Sequence, residues 1–199
     1  MSELYSIIEK IITKGKGILA ADESTATMTK RLESVNVKST AENRLLFRET
    51  LLSSESMKDF IGGVILYDET IKQTTSNKKT IPELIESSSA VPGIKVDTGA
   101  KVLAGSKDEK ITEGLDGLRE RLREYYELGA RFTKWRAVYV IPEKFPSKLA
   151  IHTNAHALAR YAALVQESGM VPIVEPEVLM DGRHNAEDCF IKTSEVLKK

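Results

Sequence analysis

The sequence has little cysteine, no excess of either charge and no long apolar run. Cys189 is its single cysteine, so no disulfide can form within the chain, and no Cys-x-x-Cys pair or His/Cys cluster suggests structural zinc. The 29 basic residues balance 29 acidic ones, which argues against a general attraction to nucleic acid or membranes. No segment approaches the roughly 18 apolar residues of a membrane span, and residues 1–17 lack the apolar stretch of a secretory signal. We therefore expect a cytoplasmic protein with neither a nucleic-acid nor a membrane partner.

Short apolar runs alternate with longer segments of helical period along the chain. The runs occupy residues 17–22, 62–67, 91–98, 132–141 and 171–178, and the main helical patterns lie at 25–35, 40–53, 114–129, 147–169 and 185–199. Such alternation predicts parallel strands joined by helical crossovers. No low-complexity linker divides the chain, so we expect one domain over residues 1–199.

Five strand-helix units allow two architectures, an open doubly wound sheet or the first part of an eight-stranded barrel. The turn after the first run reads DESTAT and lacks the glycines of a dinucleotide-binding turn. Barrel enzymes instead place charged side chains at the carboxyl ends of several strands, two residues apart so that both point inward. The charges at such positions are Asp22, Lys95, Asp97, Lys134, Arg136, Glu175 and Glu177. This pattern predicts a (β/α)8 TIM barrel, truncated after about five βα units, with strands six to eight absent.

Charged residues at alternate positions of one strand more often mark a solvated face. Four of the five predicted strands carry such charges, however, and parallel strands in an α/β fold are covered on both faces. Charges inside these runs must therefore line a cavity, pair with one another or lie at a strand end. A lysine among carboxylates and other cations also has a pKa that its surroundings can tune, as proton-transfer chemistry requires.

Seven segments of distinctive sequence follow one another over about residues 12–189. They are GKGILAADEST, GGVILYDET, GIKVDTG, LDGLRERLREY, GARFTKWRAV, NAHALARYA and GMVPIVEPEVLMDGRH. In this uninterrupted order they resemble class I fructose-1,6-bisphosphate aldolase. The resemblance implies a (β/α)8 barrel that cleaves fructose 1,6-bisphosphate reversibly into dihydroxyacetone phosphate and glyceraldehyde 3-phosphate. It also implies a lysine Schiff base, no metal or other cofactor, a sugar phosphate as the small-molecule partner, and a homotetramer for the complete protein.

The resemblance assigns catalytic roles to four of the inward charges. Asp22 matches the aspartate that orients a sugar hydroxyl whose proton leaves during carbon-carbon cleavage. Lys134 matches the lysine that stabilises charge as the carbinolamine forms and loses water. Glu175 matches the acid/base carboxylate, and Glu177 matches its nearby partner. Two carboxylates near lysines can take different pKa values, so that one carries a proton while the other stays charged.

The resemblance also implies a set of substrate-binding residues. They are Ser24, Thr27, Lys30, Arg31, Arg44, Lys95 and Arg136. The hydroxyl of Ser24 and nearby backbone N–H groups at a helix start suit an anion, and a guanidinium such as that of Arg136 offers phosphate two parallel donors. For Arg44 the competing interpretation is an ordinary position on a helix surface.

The Schiff-base lysine has no counterpart among the matched segments. In the family it lies in a segment like EGTLLKPNM, some 30 residues beyond Lys199, so we expect the chain by itself to lack catalysis. Three explanations stay open: the sequence is a fragment, a separate chain completes it, or it is a non-catalytic sugar-phosphate-binding or scaffold protein.

Overall fold

A computed structural model describes residues 2–106, 108–141 and 146–199, and its elements follow the expected alternation. The helices are α1 (Ser2–Ile11), α2 (Thr25–Ser34), α3 (Ala41–Leu52), α4 (Met57–Phe60), α5 (Asp68–Ile71), α6 (Ile81–Glu86), α7 (Leu118–Glu127), α8 (Lys148–Glu167) and α9 (Ala186–Leu197). The strands are β1 (Gly17–Ala21), β2 (Ile61–Leu66), β3 (Val91–Lys95), β4 (Gly99–Val102), β5 (Lys110–Glu113), β6 (Phe132–Tyr139) and β7 (Val171–Val178). Among the described helices, none is long and apolar enough to cross a membrane.

Five parallel strands form one sheet in the order β1-β2-β3-β6-β7, which is the geometry of part of a (β/α) barrel. The five predicted strands are therefore confirmed, although β3 ends at Lys95 and β6 at Tyr139, before the predicted limits. The predicted helix at 114–129 begins only at Leu118, because Gly114 and Gly117 both adopt positive φ angles.

An antiparallel hairpin of β4 and β5 was not expected from the sequence. Its two strands contain one buried residue, Thr112, so no apolar run marks them. The hydroxyl of Thr112 donates to the carbonyl of Arg136 at 2.7 Å, and its N–H donates to Oδ1 of Asn154 at 3.2 Å. The hairpin is thus anchored to β6 and to α8.

Alternate residues of each strand face opposite sides of the sheet, as the period of two requires. The outer side packs against the helices in the main hydrophobic core, where Trp135 of β6 and Tyr161 of α8 stack with ring centroids 5.3 Å apart. The hydroxyl of Tyr161 lies 2.6 Å from that of Thr133 and donates to the carbonyl of Ile173 at 3.2 Å. This side chain therefore joins α8 to both β6 and β7.

The inner side of the sheet is closed at its amino end by α1. Ile7 and Ile11 of this helix pack in a small apolar cluster with Ile65, Val91 and Phe132. A Cβ atom at Gly93 would lie only 2.4 Å from the ring of Phe132. Glycine is therefore required at this position of β3 for the ring to pack against the strand. Because the amino end is filled with apolar groups, the polar groups of the inner side lie beyond this cluster, in the direction of the carboxyl ends of the strands.

Candidate active site

Lys134 lies at the centre of the polar inner surface. Its Nζ is 3.1 Å from Oδ2 of Asp22 and 3.4 Å from Oε1 of Glu175. Asp22 directly follows β1, whereas Lys134 and Glu175 lie within β6 and β7, and the parallel pairing of the strands brings the three side chains together on the inner side of the sheet. The side chains of Lys134 and Asp22 are only 11% and 13% exposed, which strengthens the attraction between their charges.

Lys95, at the end of β3, contacts the main chain of Asp22. Its Nζ donates to the carbonyl of Asp22 at 2.7 Å. The ammonium also lies 5.1 Å from the ring centroid of Tyr67, within the range of a cation–π interaction. Asp22 is therefore contacted by one lysine at its side chain and by another at its main chain.

Arg136 and Glu177 form the outermost pair of the site. Nη1 of Arg136 lies 3.3 Å from Oε2 of Glu177, and both side chains are more exposed than those of Lys134 and Asp22. Exposed pairs of this kind are weak and exchange readily with water or with an added anion. The guanidinium of Arg136 is thus available to a phosphate group.

An open cavity of about 470 Å³ connects these groups. Its lining residues are Asp22, Glu23, Ser24, Thr27, Tyr67, Lys95, Asp97, Thr98, Gly99, Lys134 and Arg136. Three cations, three carboxyl groups and four hydroxyl-bearing side chains around one space suit a ligand that carries both hydroxyl and phosphate groups. Among the described residues, no cluster of His, Cys, Asp and Glu has the arrangement of a metal site.

Two carboxyl groups of the site have perturbed pKa values. Burial raises the pKa of Glu175, and the ammonium of Lys134 opposes this shift. Burial also raises the pKa of Asp97, against the effect of Lys95. A carboxyl group that keeps its proton closer to neutral pH is suited to donating it and taking it back.

The amino end of α2 forms one wall of the cavity. Ser24 is the N-cap of this helix, and its Oγ accepts from the N–H of Thr27 at 3.3 Å and lies 3.2 Å from the Thr27 hydroxyl. The helical pattern predicted at residues 25–35 is confirmed as α2, which begins at Thr25. Two hydroxyls at the positive end of a helix dipole are a suitable site for an anion.

A family model described as fructose-bisphosphate aldolase class-I matches residues 3–199. The chain belongs to this family. It is 52% identical over 198 residues to a probable fructose-bisphosphate aldolase class 1 of Xanthomonas campestris, a match that covers all of this chain and 59% of the relative. It is 50% identical over 195 residues to the cytosolic fructose-bisphosphate aldolase 4 of Arabidopsis thaliana, covering 98% of this chain and 50% of that protein.

A solved aldolase structure confirms the fold. The fructose-bisphosphate aldolase of Plasmodium falciparum, crystallised with TRAP and a small-molecule inhibitor, superposes with a TM-score of 0.95 at 45% identity. The match covers 98% of this chain and 57% of that one. The chain thus spans about half to three fifths of the length of the aldolases it matches.

Three substrate-binding residues expected from the aldolase resemblance do not line the cavity. Lys30 and Arg31 are exposed on α2, and Arg31 forms an ion pair with Glu23, which does line it. Arg44 is buried on α3 rather than on a helix surface, and its guanidinium makes two hydrogen bonds to Glu69, at 2.5 and 2.8 Å. The competing interpretation of Arg44 as a surface residue is therefore wrong.

The other site residues predicted from the resemblance lie together. Asp22, Ser24, Thr27, Lys95, Lys134 and Arg136 line the cavity, Glu175 contacts Lys134, and Glu177 contacts Arg136. Sequence reasoning missed Glu23, Tyr67, Thr98 and Gly99 as lining residues, and it placed Asp97 on the inner face without giving it a role. Tyr67 could have been found, because it continues the alternation of Gly63 and Ile65 past the end of β2.

Proposed function

We propose that the complete protein is a cytoplasmic fructose-bisphosphate aldolase that cleaves fructose 1,6-bisphosphate reversibly into dihydroxyacetone phosphate and glyceraldehyde 3-phosphate. The observation that carries this proposal is the position of Lys134 between the carboxylates of Asp22 and Glu175, in a cavity shared with Lys95 and Arg136. Family membership and the cytosolic aldolases among the relatives support it.

In the proposed reaction Asp22, Glu175 and Lys134 have separate roles in proton transfer and charge stabilisation. Asp22 accepts a hydrogen bond from the sugar hydroxyl whose proton leaves as the carbon-carbon bond breaks. Glu175, with its raised pKa, donates and takes back protons as the imine forms and is hydrolysed. Lys134 stabilises negative charge between them, and Glu177 assists as the second carboxylate. The low exposure of Lys134 and Asp22 makes this electrostatic stabilisation stronger than it would be in water.

The proposed substrate phosphates bind at the rim of the cavity. One set of donors is the amino end of α2 with Ser24 and Thr27, and another is formed by Lys95 and Arg136. Lys30, Arg31 and Arg44 remain proposals that rest on the aldolase resemblance. Arg31 pairs with Glu23 and Arg44 with Glu69, so each would have to release a carboxylate to reach a phosphate.

We further propose that residues outside this sequence supply the Schiff-base lysine and that the complete enzyme is a homotetramer. A lysine nucleophile must reach the substrate as a free amine. Lys134 is held by two carboxylates, and Lys95 donates to a backbone carbonyl. These contacts suit cations that stabilise charge rather than an amine that attacks a carbonyl.

Trapping with borohydride tests the proposal. Dihydroxyacetone phosphate and borohydride are added in parallel to the 199-residue chain and to the complete protein, and adducts are located by mass spectrometry. We expect a reduced adduct in the complete protein alone, outside residues 1–199. An adduct on Lys95, Lys134 or another lysine of this chain would contradict the proposed origin of the nucleophile. A complete protein that binds the ligand without adduct or cleavage would instead indicate a non-catalytic sugar-phosphate-binding or scaffold protein.

A further inference from the structure

Arg48 of α3 lies outside the cavity, and no sequence pattern marks it as functional. Its side chain is fully buried, which is unusual for arginine. Nη2 donates to the backbone carbonyl of Glu23 at 2.6 Å. That carbonyl belongs to the residue directly after Asp22 and directly before the Ser24 cap of α2.

The other contacts of Arg48 are poor. Its nearest paired carboxylate is that of Glu69, with Nη1 to Oε2 at 3.9 Å, and Glu69 is already bound by both Nε and Nη2 of Arg44. Within the described residues, Nε and Nη1 of Arg48 have no hydrogen-bond partner. Burial lowers the pKa of Arg48, because the charged form has lost its water. Its close, directed contact is therefore the one to Glu23.

Three cations converge on one short turn. Lys95 donates to the carbonyl of Asp22, Lys134 pairs with the carboxylate of Asp22, and Arg48 donates to the next carbonyl along the chain. The two lysines line the cavity, whereas Arg48 holds the turn from α3, outside the cavity lining. Arg31 of α2 also pairs with the carboxylate of Glu23, whereas Arg48 holds the backbone of the turn from α3.

We propose that Arg48 is a positioning residue that holds the turn at residues 22–24, so that Asp22 faces Lys134 and Ser24 caps α2. Its contribution to catalysis rests on the proposed aldolase function, whereas its effect on the turn does not. A charged donor to a neutral carbonyl is a stronger hydrogen bond than a neutral one, and a planar guanidinium presents its donors in a fixed direction.

Lysine acetylation of the 199-residue chain tests this proposal without any substrate. A released turn frees the ammonium groups of Lys95 and Lys134, so Arg48→Met should raise their rates of labelling by acetic anhydride about tenfold. Lys192 of α9, which pairs with Glu195, serves as the internal reference and should not change. Labelling is measured by mass spectrometry at matched folded fractions.

Leu52→Ala is the matched control, because Leu52 is also fully buried on α3 but makes no contact with the turn through a polar group. We expect its labelling of Lys95 and Lys134 to stay within about twofold of wild type. Equal labelling in Arg48→Met and Leu52→Ala would overturn the proposal.

Arg48→Lys provides a second comparison should the Met variant not fold. It keeps a buried cation but offers a shorter, flexible donor, so its labelling should exceed that of Leu52→Ala by about threefold. Labelling equal to that control would again overturn the proposal. The labelling experiment uses no sugar phosphate. It therefore tests the role of Arg48 in holding the turn even if the borohydride experiment contradicts the proposed aldolase function.

Discussion

Asp97 and Glu175 are the two carboxyl groups of the site whose pKa values burial raises. In Asp97, Oδ1 accepts from the N–H of Gly99 at 3.1 Å, while Oδ2 is buried without a partner among the described residues. A carboxylate in this position is costly when it is charged, so the folded state favours its protonated form. A carboxyl group with a raised pKa should therefore lower the stability of the protein as pH rises, whereas a well-paired carboxylate with a lowered pKa should lower it as pH falls.

Asp97→Asn should stabilise the protein more at pH 8 than at pH 4. The raised pKa means that the folded state binds this proton more tightly than the unfolded state does. This tighter proton binding stabilises the folded wild-type protein at low pH. The stabilisation is lost as pH rises through the raised pKa. Asparagine keeps the Oδ1 acceptor and carries no charge, so the variant lacks that loss. Urea denaturation at both pH values measures the difference, and an advantage confined to pH 4 would contradict the prediction.

Glu69→Gln is the control with the opposite sign. Its hydrogen bonds to Arg44 lower the pKa of Glu69, so its stabilising effect is present at neutral pH and lost as pH falls through the lowered pKa. The Gln variant should therefore be most destabilised, relative to wild type, at pH 8. The same loss at both pH values would show that packing rather than charge determines the effect.

Glu175→Gln in the complete protein should slow turnover by about a hundredfold or more while leaving the fold intact. The amide cannot exchange a proton with the substrate, although it can still accept a hydrogen bond from Lys134. Steady-state kinetics and thermal unfolding measure the two effects. Glu167→Gln, at an exposed pair with Arg119, is the control and should leave turnover unchanged. Unchanged turnover in Glu175→Gln would reject its acid/base role.

At the scale of elements, α2 and α3 begin in the same way but face different surroundings. Ser24 caps α2 and Thr40 caps α3, each through a side-chain oxygen that accepts from the backbone N–H three residues on. Only the cap of α2 lines the cavity. The two helix starts therefore separate the structural effect of a cap from its effect on anion binding.

Ser24→Ala and Thr40→Ala should each lower the free energy of unfolding by about 1 kcal/mol, because each leaves a backbone N–H without its acceptor. Only Ser24→Ala should also weaken the binding of dihydroxyacetone phosphate, since its hydroxyl faces the cavity. Urea denaturation and calorimetric titration measure the two quantities. Equal affinity in the two variants would remove Ser24 from the proposed phosphate site.

At the scale of the whole molecule, the five-stranded sheet has two edges. In the described sheet β1 pairs only with β2, and β7 pairs only with β6. Ile18 and Val174, one on each edge strand, are 42% and 38% exposed. Open edges with apolar side chains present unpaired N–H and C=O groups to other chains.

The isolated chain should therefore self-associate in a concentration-dependent way. Sedimentation velocity over about 1–100 μM should show a shift from monomer to larger species. Val174→Lys places a charge on the β7 edge and should weaken the association, while Glu120→Lys on α7 should leave it unchanged. A chain that stays monomeric over this range would contradict the prediction.

Local sequence was enough to find the five parallel strands, the start of α2 and the inward charges, because each depends on neighbouring residues and on the period of the helix or strand. The β4–β5 hairpin was not predicted, because its strands are short and mostly exposed. The family could be inferred from its motifs, which keep their order along the chain.

Only the tertiary structure decided which charges meet. Lys134 contacts Asp22 across 112 positions of sequence, and Lys95 reaches the same residue across 73. It also decided that Arg44 faces Glu69 and that Arg48, rather than a residue of the motifs, holds the carbonyl of Glu23. Such contacts depend on how a helix packs behind a sheet, and the direction of a buried side chain is set by its three-dimensional neighbours rather than by its place in the chain.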